Sequence, residues 1–143
     1  MRVFFGQSAA GPFVSLSESG RILSVALGAP IDDPLALLDR GLTEIGRTVS
    51  AVREVVCDRG PGGFSSVRRR VTVAATLAQA LGASIYAAGP LTAEEAAAVP
   101  EPEFSLGAPL GPLYDRAPNI TVPKNPVHLN RAATSLASDR EAV

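Results

Sequence analysis

The sequence has no tryptophan, one cysteine, one histidine and two tyrosines in 143 residues. A single cysteine excludes an internal disulfide and fits a reducing, cytoplasmic setting. The one histidine, His128, has no Cys, Asp or Glu near it at ligand spacing. It reads as an exposed bystander, and the usual zinc sets and Ser–His or Cys–His nucleophile pairs are missing. An excess of one charge is also missing, since 13 Lys and Arg stand against 14 Asp and Glu. A chain that held nucleic acid by itself would show a basic surplus. No apolar run approaches the ~20 residues of a membrane span. The N-terminus lacks the charged-then-apolar run of a secretory leader.

What is abundant is glycine and proline, 13 and 12 residues, and they are unevenly placed. Seven of the prolines fall between positions 100 and 126. This predicts a compact domain over residues 1–99 and a Pro-rich extension with a loose tail over 100–143. Within the first part, 2–5, 13–17 and 21–27 read as strands. Ser19-Gly20 serves as a tight turn between the last two, so an antiparallel meander is expected. Leu23, Val25 and Leu27 share one face of the third strand.

The period then changes to helical. Asp32 or Asp33 can cap a helix with Pro34 at its first position. Leu35, Leu38, Leu42, Ile45 and Val49 form one apolar stripe, predicting a helix over 34–49. Gly41 and Gly46 within it suit the close approach of another helix. Residues 54–58 read as a buried strand, 64–81 as a helix ended by Gly82, 84–87 as a strand, and 93–99 as a short helix capped by Thr92. The stripe of the long helix includes Val67, Val71, Ala74, Ala78 and Leu81. The order βββαβαβα predicts an α/β fold in which helices cover a mixed sheet.

The loop Arg59-Gly60-Pro61-Gly62-Gly63 joins a strand to a helix. Such a loop can present backbone N–H groups to an anion or act as a tight structural turn, the reading preferred here. It has neither the Lys-Ser/Thr of a P-loop nor a dinucleotide spacing. Arg68-Arg69-Arg70 reads as a solvated helix face. Cys57 reads as a small buried hydrophobe. Asp58 stands where α/β folds often place an active-site acid, and a turn or cap role fits it equally. No acid–base pair emerges.

The segment 59–82 resembles the TsaB (YeaZ) family. Its R-G-P-G-G-F-S-S-V-R, followed by Ala74-Ala75 and L-A-Q-A-L-G, matches the family's G-R-G-P-G-S-F-T-G-L-R-I-G and A-x-x-L-A-x-A-L-G without a gap over about 24 residues. Arg59, Gly60, Pro61, Gly62 and Phe64 carry the core of the match. Pro112-Leu113-Tyr114-Asp115-Arg116 resembles the family's closing P-x-Y-x-R.

The resemblance implies an actin-like, ribonuclease-H-like fold. It also implies a noncatalytic role, with no cofactor, as partner of a TsaD-like catalytic subunit. With a TsaE-like ATPase, such complexes make N6-threonylcarbamoyladenosine in tRNA, and this chain would meet tRNA only through the complex. Docking would use the helices 34–49 and 64–81, with Leu35, Leu38, Leu42, Arg68, Val71, Ala74, Ala75 and Ala78 as partner-binding candidates; a homodimer through the same surface is the alternative when the partner is absent. Three departures stand out. Gln7-Ser8-Ala9 replaces the family's Asp-Thr-Ser, Asp32-Asp33-Pro34 replaces its His-Ser-Glu, and Arg69-Arg70 replaces Ile-Gly. Arginines there call for a changed partner or acidic complements. Between Leu91 and Pro112 there is no room for the family's second domain of about 100 residues. A stand-alone nucleotide-binding or phosphotransfer protein of the same fold is the competing reading, and a peptidase finds no nucleophile pair or zinc ligands to support it.

Overall fold

The computed structural model describes residues 1–98 and 111–116. Five strands form one mixed sheet: β1 (Arg2–Ser8), β2 (Gly11–Glu18), β3 (Arg21–Leu27), β4 (Glu54–Asp58) and β5 (Ser84–Ala88). Their order across the sheet is β3-β2-β1-β4-β5. The first three run antiparallel as the expected meander, while β4 and β5 run parallel to β1. At the β2–β3 turn Ser19 and Gly20 both take positive φ, 51° and 77°, the geometry that matches strand twist in a tight hairpin.

The alternation of side chains divides the core in two. Val3 and Phe5 of β1 point to one side, where α1 (Pro34–Glu44) and α2 (Phe64–Leu81) pack with Leu37, Leu42, Val67 and Val71. Phe4 points to the other side, joining Phe13, Val56 and Tyr86 under the short α3 (Ala93–Ala98). α1 and α3 start on caps that the sequence supplies, while α2 starts at Gly63 with no side-chain cap. Asp33 accepts from the Leu35 amide at 2.9 Å with Pro34 next in line. Thr92 and Glu95 form a reciprocal capping box at 3.1 and 3.2 Å. Gly82, in the left-handed region at φ 61°, ends α2.

Two expectations are corrected. The first helix stops at Glu44 instead of reaching residue 49, because Gly46 turns the chain at φ +65° and Arg47 bonds back to the Leu42 carbonyl at 3.0 Å. A 3-10 turn covers Val49–Ala51. Gly41 admits no second helix; it lets α1 lie close on the sheet, where an added Cβ would sit 3.3 Å from Leu16. The Leu23, Val25 and Leu27 face of β3 is largely exposed, and the strand's buried residues are Ser24 and Ala26. The region expected to form the tail, with His128, lies outside the described residues, apart from 111–116.

Candidate functional site at the glycine-rich loop

β1 and β4 lie side by side and parallel, so their carboxyl ends bring Gln7 and Asp58 to the same rim of the sheet. α2 starts just beyond, and its first turns lay Ser66 and Arg70, one helical turn apart, over that rim. Arg70 folds inward. Its Nε donates to the Asp58 carbonyl at 2.6 Å, and its Nη1 donates to Gln7 Oε1 at 3.0 Å and Ser66 Oγ at 3.3 Å. Ser66 also donates to Gln7 Oε1 at 3.1 Å. The Asp58 carboxylate lies 3.8 Å from Arg70 Nη2 and accepts from the Gly60 amide at 2.8 Å.

Asp58 and Arg70 are 2% and 3% exposed, so each would be costly to bury without the other. The arginine run is therefore not one solvated face. Arg68 and Arg69 are exposed as expected, but Arg70 is an internal cation with an acidic complement. It fills the gap between the ends of β1 and β4, where it meets Gln7. Asp58 takes the turn role, through the Gly60 amide. Cys57, beneath it, is fully buried and its thiol is pushed up to about 12 by loss of solvation; it packs and does not react.

The loop itself is clasped from outside by residues 111–116. The Leu113 amide donates to the Arg59 carbonyl at 2.6 Å, and the Asp115 amide donates to the Gly62 carbonyl at 3.1 Å. Gly62 and Tyr114 form a parallel bridge, and the Phe64 and Tyr114 rings stack with centroids 4.6 Å apart. Gly60 has φ +103°, and an added Cβ would lie 2.1 Å from the Leu113 carbonyl oxygen. The backbone groups of Arg59, Gly60 and Gly62 are thus engaged by the protein itself, as a structural turn requires.

The partner-binding candidates divide by burial. Leu38, Leu42, Val71, Ala74 and Ala78 are all buried in the chain's own core. This corrects their assignment to a docking face, because the same stripe that predicts each helix is the one it turns toward the sheet. Leu35 and Arg68 are exposed and Ala75 is half-buried. Two shallow grooves flank Arg68 on the outer side of α2. One, about 410 Å³, is lined by Val71, Thr72, Ala75, Thr76, Pro112 and Tyr114; the other, about 320 Å³, runs past Phe64, Ser65, Arg69, Thr72 and Val73. A third cleft of about 580 Å³ lies elsewhere, between β3 and α3, with Gln7, Phe13, Val25, Leu27 and Leu91 in its walls.

Sequence reasoning noted Gln7 but missed that Ser66 and Arg70 would meet it. Their i, i+4 spacing was the available signal. Among the described residues, no group of three or more His, Cys, Asp or Glu side chains is placed to share a metal ion.

This chain is similar to YeaZ from Pseudomonas aeruginosa. The solved structure of that protein matches with a TM-score of 0.54 and 30% identity, over 62% of this chain and 44% of its own. A second structure matches with a TM-score of 0.54 and 29% identity, over 62% of this chain and 42% of its own. It is described as an uncharacterized protein with similarity to peptidase YEAZ from Pseudomonas aeruginosa. This chain therefore spans less than half the length of the YeaZ chains it matches. Its mixed five-stranded sheet with interspersed helices has the actin-like, ribonuclease-H-like architecture of these homologues. No protein-family model matches the chain, and no curated protein matches it significantly. No helix among the described residues is long and apolar enough to cross a membrane.

Proposed function

We propose that this chain is a noncatalytic, TsaB-like subunit that docks onto a TsaD-like catalytic partner in tRNA N6-threonylcarbamoyladenosine synthesis, with a TsaE-like ATPase in the same cytoplasmic system. The observation that carries this reading is the likeness to YeaZ at 30% identity, together with the R-G-P-G-x-F loop that residues 111–116 clasp at the start of α2. In this reading residues 1–99 are the docking domain, and the outer face of α2 with Leu35 of α1 is the contact surface. Arg68 sits between the two grooves and meets a carboxylate of the partner, while Phe64 and Ala75 offer apolar contact. The chain contributes shape and charge to the complex and leaves the chemistry to its partner.

Stand-alone nucleotide binding has less support, since Arg70 and Gln7 occupy the rim where the ends of β1 and β4 meet. The test is co-purification of the full chain with the TsaD-like protein of the same genome, paired with mass spectrometry of tRNA nucleosides after deletion. Complex formation and loss of the modified adenosine are expected. No complex, with modification unchanged, would refute the reading.

A further inference from the structure

β3 is the last strand on its side of the sheet, and among the described residues no strand pairs with its outer edge. The Gly28 amide donates to the Pro12 carbonyl at 2.9 Å. Bonded and non-bonded residues alternate along an antiparallel pair, so Ala26 and Ser24 also bond β2. The N–H and C=O of Val25 and Leu27 consequently point outward. The Arg40 guanidinium reaches the Leu27 carbonyl from α1, in keeping with that direction. Ser17 faces Ile22 while Leu16 faces Ser24, so Leu23 is the extra residue of a bulge that ends the regular edge.

Beyond that bulge Arg40 covers the Leu27 carbonyl, and the strand itself brings no further protection. Residues 22–27 contain no charge and no proline, the devices that normally keep sheet edges apart. Leu23 and Val25 are each 37% exposed and Leu27 is 68% exposed.

We propose that β3 pairs antiparallel with β3 of a second copy of this chain, about a twofold axis at Val25, to give one continuous sheet across the dimer. This register is self-complementary in two independent ways. Val25 lies opposite Val25, and Leu27 comes against Leu23 at the end of the regular edge, so the exposed apolar residues meet across the axis. On the opposite face, α1 holds Glu44 at Ser24, 2.7 Å from its hydroxyl, and Arg40 at Leu27. With the axis at Val25, Glu44 of each copy lies beside Arg40 of the other. An axis at Ser24 would instead bring the two glutamates together. The contact is short, so the dimer is weak. It leaves the outer face of α2 free and does not depend on the docking role proposed above.

Sedimentation velocity of the full chain from about 5 to about 500 μM reads such an association. The mass is expected to rise toward twice 14.7 kDa. Val25→Lys should stay monomeric with an unchanged circular dichroism spectrum. Arg40→Glu and Glu44→Arg should each weaken the dimer about fivefold and restore it when combined. A wild-type chain that stays monomeric throughout overturns the proposal and leaves the edge to a strand of another protein. A dimer that Val25→Lys leaves intact overturns it as well. Hydrogen exchange on the wild type decides the matter should that variant fail to fold. The Val25 and Leu27 amides should slow as concentration rises, and rates independent of concentration refute the pairing.

Discussion

Arg70 carries its charge into the interior because four oxygen atoms receive it: the Asp58 carbonyl and carboxylate, Gln7 Oε1 and Ser66 Oγ. Removing one member of a buried pair is worse than removing both. Arg70→Met should lower stability by roughly 3–5 kcal/mol in urea unfolding, and Asp58→Asn in the same chain should recover much of that loss. Cys57 gives a second test at this scale. Its thiol titrates at about 12 in the folded chain against 9.0 when exposed, so the folded state keeps its proton over a range where the unfolded state loses it. Its contribution to stability is complete below pH 9.0 and is lost as pH rises toward about 12. The fall is at most about 1.4 kcal/mol per pH unit, and a Cys57→Ala comparison of urea midpoints isolates it. Ala74 is 0% exposed, so Ala74→Glu should unfold the chain, losing roughly 3 kcal/mol or more on thermal melting. Arg68→Glu should melt like the wild type and weaken only the docking proposed for it.

At the scale of elements, most of the fold was legible in the sequence. Period and caps located α2 and β4, and Ser19-Gly20 announced the β2–β3 turn. What escaped depended on neighbours distant in sequence. The stripe through Val49 continued past Gly46, yet the glycine's positive φ ended the helix five residues earlier. The apolar residues of β3 share a face as read, but their alternation does not say that α1 meets the strand through Ser24 and Ala26. The docking stripes were read correctly as apolar and wrongly as outward, because periodicity locates a face without saying what covers it. The same limit hid Arg70, whose burial depends on Gln7, 63 positions away. Gly60 offers the sharpest test of an element junction. Gly60→Ala should cost roughly 1–3 kcal/mol through its positive φ and the approach of the Leu113 carbonyl. In hydrogen exchange the Leu113 and Asp115 amides should lose protection first.

For the whole molecule, one sheet with a helix pair on one side and a short helix on the other leaves two surfaces of different character. The outer side of α2 is basic and grooved, and the β3 edge is apolar and self-complementary. A chain that uses both could bridge two copies of a partner. The segment 111–116 matters for anyone who shortens this chain. It supplies two amide donors and an aromatic ring to the loop of residues 59–64. A fragment cut after α3 would hold all five described strands, yet the Arg59 and Gly62 carbonyls would lose their donors and Phe64 its stacked cover. Such a fragment could pass a folding assay and still fail a binding one, so a negative result from it would report on the cut and not on the protein.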